Sequence, residues 1–490
     1  MKDKYKILKQ YFGHDFFRYG QEEIIDAVLS DNKQGVLCLM PTGGGKSLVY
    51  QLPSIIQDGL TIVVSPLISL MKDQVDALQK NGIDAAFYNS SQSKREQQSI
   101  LQSLNMGLTD ILYVSPERFG DNNFIEFLKD CDVNLFAVDE AHLISQYGHG
   151  FRPSYRKLKK AIKQLKPKRI VALTATATKD VQNDICEQLG IITAKKFIRG
   201  FYRPNLELSF TLSSSKTYSI ISLVEDQLER KNKTGIVYTS TKANAEELSY
   251  LFNEKGISAS FYHAGLKTSD RTKIQNTWAE NGGLIIATCA FGMGIDRPDV
   301  RFVIHESMPG SIEAWYQEIG RAGRDGKKSI CKTFYDPRDI ALQKFFINLS
   351  MPRKEEIMRL WKWINRHTEY SLEIKATQER MKELSGCQFV SGAISFLKTN
   401  NLIKSIKRGV YKAKKHFESP YDIDKVVDWS KYYELRKYKF NMLNNIVELM
   451  KNKSECRMKQ IVRYFGDNTL NKDCRNCDVC FTNYSCNVIL

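Results

Sequence analysis

Residues 35–47 read GVLCLMPTGGGKS. The run Val36–Met40 has the length and aliphatic content of a short buried strand. A proline and three glycines then break regular structure, and SLVYQLPSII resumes with helical character. Strand, glycine-rich turn and helix in that order let backbone N–H groups curl around phosphate oxygens at a helix N-terminus. Thr42, Gly43, Gly44 and Gly45 make the turn. Lys46 brings a point charge for the β- and γ-phosphates of ATP, and Ser47 offers a hydroxyl to Mg²⁺. Met40 stands where the motif usually has its first glycine. An ordinary glycine turn would leave Lys46-Ser47 without a purpose.

The strand–helix rhythm extends in both directions. LTIVVSP, DILYVSP, LFAVDE and RIVALTAT follow in the first part, then TGIVYTS, SASFYHA, GLIIATC and VRFVIHE. Such alternation implies an α/β fold with parallel sheets covered by helices on both faces. Two tandem domains are expected, at 1–200 and 201–345, with FIRGFYRPNLELSF (197–210) between them. A mostly helical region at 346–425 and a metal-binding subdomain at 426–490 complete the reading.

Asp139-Glu140 closes the strand LFAVDE. A carboxylate there can hold Mg²⁺ and its neighbour can orient an attacking water, so Asp139 and Glu140 join Lys46 as catalytic candidates. In GRAGRDG (320–326), Arg321 and Arg324 are three apart on what reads as a helix, WYQEIGRAGR, which places both on one face. Arginines that approach a γ-phosphate from a second domain make hydrolysis depend on domain closure. VDEAHLISQYGHGFRPSY (138–155) then crowds aromatic and basic side chains directly behind the carboxylate pair.

With these pieces assembled, the chain resembles the RecQ family of superfamily 2 DNA helicases over about residues 8–336 and again at its cysteine cluster. The resemblance is carried by Leu8, Phe12-Gly13, Phe17-Arg18 and Gln21. SPLISLMKDQV, YVSPERF, DEAH, LTATAT, YHAGL, TCAFGMGIDRPDVRFVIH and QEIGRAGRDG follow in family order. It implies two RecA-like motor domains and ATP-driven 3′-to-5′ movement on single-stranded DNA, acting in repair or recombination on tailed or junction-containing duplexes. It also implies that Gln21 reads adenine through its amide with Arg18 nearby. His14 occupies the slot where the family often has a stacking ring. Asp296 and Gln317 match positions lining the cleft between the motor domains. The segment after DEAH matches a loop that senses DNA, in which Tyr147 and Phe151 stack on bases and Arg152 meets phosphate or the other domain. The family usually has Trp at position 147 and Asp at position 150. A nucleotide switch without strand separation is the alternative of a different class, and an RNA helicase is a further one.

Cys456, Cys474, Cys477 and Cys480 form C-x17-C-x2-C-x2-C, the spacing of a closed structural Zn²⁺ site, with Cys486 as an alternative ligand. Before it, ATQERMKELSG and QFVSGAISFLKTNN read as two helices, and LIKSIKRGVYKAKKHF as a basic hairpin. Helix–turn–helix–hairpin is the pattern of a winged helix. The family usually places that element after the zinc site.

Composition agrees with a nucleic-acid partner. The formal charge is +17, and most of the excess lies between Met351 and Leu490. Eleven cysteines, an odd number, argue against a disulfide framework. Cys38, Cys131, Cys186, Cys289, Cys331 and Cys387 read as small core residues. The N-terminus MKDKYKILKQ lacks the apolar core of a signal peptide, and no apolar run approaches the roughly 20 residues of a membrane span. The expectation is a soluble cytoplasmic protein, at the nucleoid when bound to DNA.

Overall fold

The first sheet comprises β1 (Val36–Leu39), β2 (Leu60–Val64), β3 (Ala85–Tyr88), β4 (Ile111–Val114), β5 (Val133–Val138), β6 (Arg169–Thr174) and β7 (Lys195–Ile198), in the order β3-β4-β2-β5-β6-β1-β7. Every pairing is parallel. β1, β2, β4 and β5 are buried along their whole length, as strands covered on both faces must be. The computed structural model describes residues 3–18, 20–30, 35–148, 151–292, 297–367, 373–407, 409–414, 416–467 and 469–486, the last four as backbone.

The second sheet holds β8 (Leu206–Leu212), β9 (Gly235–Tyr238), β10 (Ala259–Tyr262), β11 (Leu284–Ala287), β12 (Phe302–His305) and β13 (Ser329–Tyr335), ordered β10-β11-β9-β12-β13-β8 and again all parallel. Half of the segment expected to link the domains is strand: its ends belong to β7 and β8, edge strands of the two sheets, and 199–205 connects them. Both sheets and Leu449–Leu490 form one compact unit; Asp336–Glu448 form a second.

In the second unit, helices Pro337–Ser350, Lys354–His367, Gln378–Ser385 and Val390–Thr399 accompany an antiparallel sheet of β14 (Glu373–Lys375), β15 (Ile403–Lys407) and β16 (Val410–Ala413), ordered β14-β16-β15. Trp361, Met381, Leu397, Tyr411 and Phe417 fill its core. Buried Asn365 exchanges hydrogen bonds with both backbone groups of Phe417, at 2.9 and 3.0 Å, closing the module after the hairpin. Helix, strand, two helices and a hairpin returning to the first strand is the winged-helix order. Arg408 and Lys415 lie outside the described residues.

Among the described residues no helix is long and apolar enough to cross a membrane. Of the six scattered cysteines, Cys38, Cys186, Cys331 and Cys387 are buried as expected. Cys289 is exposed and Cys131 half-buried. Cys289 lies just past the end of β11, where the chain has left the sheet, and Cys131 lies just past the helix Asn122–Lys129.

Candidate active site and cysteine centre

The phosphate-type loop sits at the carboxyl end of β1, the expected ligand edge of an open α/β sheet. Gly43 and Gly45 adopt φ of +79° and +78°, where a side chain is strained. A Cβ on Gly45 would also collide with the Gln21 amide. Lys46 Nζ donates to the carbonyls of Met40 and Pro41 at 3.2 and 3.3 Å. Ser47 precedes the helix Leu48–Ile56.

The N-terminal segment is tied to this loop. Gln21 Nε2 donates to the Gly45 and Gly44 carbonyls at 3.1 and 3.4 Å, and its Oε1 accepts from the Arg18 amide at 2.7 Å. Arg18 Nη1 donates to the Gly43 carbonyl at 2.7 Å. Here the Gln21 amide serves the loop itself. Gln21, Arg18 and His14 line one cavity of about 540 Å³ with Thr42, Gly43, Gly45, Lys46 and Ser47. Phe16, which belongs to no expected site, lines it too, with 82 % of its surface exposed.

Asp139 and Glu140 complete the same wall. Glu140 takes φ 47°, ψ 45°, a left-handed conformation that costs a non-glycine residue of order 1–3 kcal/mol and marks a constrained site. Burial and the neighbouring Glu140 carboxylate push Asp139 up to about 6, and the Lys46 ammonium opposes them. Two crowded carboxylates and a hydroxyl on one cavity wall are hard oxygen donors whose mutual repulsion a divalent cation would relieve, so the donors fit Mg²⁺.

From the second sheet's domain, Gln317, Arg321 and Arg324 line the cavity. The expected single helix is not what carries the arginines. The helix Ile312–Ile319 stops at Gly320, and Arg321 and Arg324 lie on the turn beyond it. Gly323, at φ +54°, bends the chain there. Arg324 still reaches the loop: a Cβ on Gly43 would lie 3.3 Å from its Cγ. Arg321 is nearly buried, and among the described residues its Nε has no hydrogen-bond partner. Gly44 belongs to the loop but not to the cavity wall, and Asp296 lies outside the described residues.

A polar chain that sequence reading missed joins the two domains. Glu140 Oε2 lies 3.2 Å from His142 Nδ1, and His142 Nδ1 lies 2.9 Å from Thr174 Oγ1. Thr174 donates to the Thr176 carbonyl at 3.2 Å, and Gln317 Nε2 donates to Thr176 Oγ1 at 3.2 Å. These residues sit within quoted motifs, yet only the fold brings them together.

In the loop after the carboxylates, the Tyr147 amide donates to Ser145 Oγ at 3.2 Å, and Phe151 lies under the Arg156 guanidinium at 5.5 Å. Arg152 donates to the Pro66 carbonyl at 2.9 Å, which anchors it within its own domain. Gly150 lies outside the described residues.

The sulfurs of Cys456, Cys474, Cys477 and Cys480 all fall within 4.8 Å of one another. Backbone amides of Cys474, Asn476 and Arg457 donate to the sulfurs of Cys456, Cys474 and Cys477 at 3.3–3.4 Å, which favours thiolates. Four converging sulfurs with such support fit Zn²⁺. The Cys486 side chain lies outside the described residues. The cysteine module packs on its own unit: Arg457, fully buried, pairs with Asp478 at 2.9 Å, and Phe465 stacks on Phe201 at 4.6 Å.

Comparison with known proteins follows the same layout. Residues 18–184 match the DEAD/DEAH box helicase family, 216–326 the helicase conserved C-terminal domain, and 420–481 the RecQ zinc-binding domain. The probable ATP-dependent DNA helicase RecS of Bacillus subtilis (strain 168) is 42% identical over 355 residues, 72% of this chain and 71% of that protein. The chain belongs to the RecQ family. The ATP-dependent DNA helicase RecQ of the same organism is 42% identical over 75% of this chain and 62% of that protein. Its Haemophilus influenzae counterpart is 46% identical over 70% and 55%. The chain thus spans under two thirds of these two RecQ proteins. Among solved structures, MrfA, a DUF1998 helicase bound to DNA and AMPPNP, superposes with a TM-score of 0.56 at 18% identity over 86% of this chain and 62% of that one. Saccharomyces-type Dbp5 bound to RNA and ADP BeF3 gives 0.54 at 18% identity over 70% and 91%. These likenesses show the tandem RecA-like fold of a RecQ-family chain with a zinc-binding domain.

Proposed function

We propose that the chain is an ATP-dependent DNA helicase or translocase that moves 3′ to 5′ on single-stranded DNA and acts on tailed or junction-containing duplexes. One observation carries the reading: the glycine loop, the carboxylate pair and two arginines of the other sheet's domain line a single cavity. In this reading Lys46, Arg321 and Arg324 stabilise the charge on the transferring γ-phosphoryl group. Glu140 orients the attacking water and accepts its proton. Ser47 and Asp139 would hold Mg²⁺, which would supply neutralisation of phosphate charge. Arg18 and Gln21 hold the loop, His14 borders the base, and Phe16 offers it a stacking face. Tyr147 and Phe151 sense single strands, and the four cysteines Cys456, Cys474, Cys477 and Cys480 ligate zinc. Lys404, Lys407 and Lys412 on the winged-helix hairpin meet duplex phosphates.

The test is ATP hydrolysis and strand separation on 3′-tailed, 5′-tailed and forked duplexes. Hydrolysis stimulated more by DNA than by RNA, with unwinding of the 3′-tailed substrate, is the expected result. Stimulated hydrolysis with no strand separation on any substrate would make the chain a nucleotide switch instead.

A further inference from the structure

The turn that bears Arg321 and Arg324 is held from behind. Arg203 Nη2 donates to the carbonyls of Ala322 and Gly323 at 2.8 and 3.0 Å. Asn205 Nδ2 donates to the carbonyls of Gly323 and Lys327 at 2.8 and 3.0 Å. Ala322 and Gly323 are the two residues between the arginines. On the far side, the Gly323 amide donates to the Val300 carbonyl at 2.9 Å. The Arg321 and Ala322 amides still donate to the Glu318 and Ile319 carbonyls at 3.3 and 3.0 Å, but the ladder ends there, and the carbonyl side of the turn is held by Arg203 and Asn205.

Arg203 and Asn205 lie in the connection between β7 and β8, and Pro204 between them is gripped by the cysteine module. Asn476 Nδ2 donates to the Pro204 carbonyl at 3.1 Å, and the Asn476 carbonyl accepts from the Leu208 amide at 3.2 Å. Asn476 sits between Cys474 and Cys477, and its amide donates to Cys474 Sγ at 3.4 Å. Asp478, one residue past Cys477, accepts from the Phe210 amide at 3.1 Å. The backbone that wraps the cysteine centre is thus hydrogen-bonded to the segment that fixes the arginine turn.

We infer that Arg203 and Asn205 are positioning residues for Arg321 and Arg324, and that Asn476 ties their placement to the cysteine centre. The inference rests on the reading of the arginines as partners of the γ-phosphate. Four sulfurs drawn to one cation fix the Cys474–Cys477 backbone, and with it the Asn476 carboxamide against Pro204. Loosening that contact leaves the phosphate loop and the nucleotide's binding surface in the first sheet's domain untouched. It shifts only the groups that act as charge develops, so the cost falls on kcat and spares KM.

The full chain is compared with Arg203→Lys, Asn205→Ala, Asn476→Ala and Arg321→Ala. Each is measured for kcat and KM of DNA-stimulated ATP hydrolysis, ADP affinity and zinc content. Arg321→Ala should lose about a thousandfold in kcat. Arg203→Lys and Asn205→Ala should lose about tenfold or more, because small misplacements of reacting groups are costly. Asn476→Ala should lose roughly three- to tenfold. All four should keep ADP affinity within about twofold, and Asn476→Ala should retain full zinc, because none removes a phosphate-loop or cysteine side chain. If Asn476→Ala loses zinc, Asn476→Asp, which keeps the shape but faces the carbonyl with an acceptor, takes its place with the same expectation. Normal kcat in Arg321→Ala would remove the reading of the site. Loss in Arg321→Ala with normal kcat in the other variants would overturn the positioning role alone.

Discussion

Lys46 and Glu140 line one cavity, and in the proposed reading they serve the phosphate and the attacking water respectively, so substitutions should separate them. Lys46→Ala should lower kcat at least about a hundredfold, because it removes a fixed charge from the developing transition state. DNA binding should persist in an equilibrium binding assay. Glu140→Gln should keep ATP affinity yet turn over about a hundredfold or more slowly, since the amide cannot accept a proton. Phe16 gives a different signature. A ring 82 % exposed gains little from folding, so its value lies in what it covers. Base stacking contributes about 1–3 kcal/mol per base, so Phe16→Ala should raise the KM for ATP about fivefold or more with kcat unchanged. Tripolyphosphate inhibition, which needs no base, should not change. Residue-level legibility followed locality. Gly43–Ser47 and Asp139-Glu140 were readable because each cluster is contiguous in the chain. Arg203, Asn205, His142 and Thr176 carry no such signal, because the contacts that give them a role span 32 to 141 residues of sequence. Asp139 and Glu140 needed only a strand end, whereas the arginines were placed on a helix because Gly320 and Gly323 interrupt it without altering the Arg–Arg spacing.

At the scale of elements, most strands were legible, the edge strand β10 among them, but the edge strands β3, β7 and β8 and the inner strand β13 were not. β1, β2 and β5 are unbroken apolar runs, but β7 exposes two lysines and β8 alternates buried with half-buried residues. An edge strand needs less apolar surface, so its sequence resembles a loop. The basic hairpin was readable as two strands, while β14, only three residues long, was not. Register adds what composition lacked. Lys404 and Lys412 are direct cross-strand partners, and Glu373 opposes Lys412 on its other side. Two lysines face to face repel one another, and an anion laid across them relieves that repulsion. Changing Lys404, Lys407 and Lys412 to Ala should flatten the slope of log affinity against log salt by about 1–3 units on duplex-containing DNA. ATPase stimulated by short single strands should be unaffected. The aromatic loop behind the carboxylates belongs to this scale as well. Tyr147→Ala with Phe151→Ala should leave basal hydrolysis nearly unchanged and remove most of its stimulation by single-stranded DNA.

For the whole molecule, the tandem sheets and the late cysteine cluster were evident from the rhythm of strands and the C-x2-C steps. The second compact unit runs from Asp336 to Glu448. Its upper limit falls inside the helix Trp429–Lys451, where the hydrophobic period does not change, whereas its lower limit falls where β13 gives way to the helix Pro337–Ser350. The cysteine module should bind one zinc per chain by metal analysis. Structural zinc contributes about 10–16 kcal/mol of apparent free energy in small zinc-finger peptides. Cys477→Ser should therefore yield protein that is rapidly proteolysed around 449–486, whereas the sheets resist longer. In the proposed function, ATP turnover in the shared cavity drives strand separation. Its most direct test is unwinding of a 3′-tailed duplex by the full chain, by Lys46→Ala and by Arg321→Ala, with a 5′-tailed duplex alongside. ATP-dependent unwinding of the 3′-tailed substrate by the unaltered chain alone is the predicted result. Equal unwinding by Lys46→Ala, or none by the unaltered chain despite DNA-stimulated hydrolysis, would contradict it.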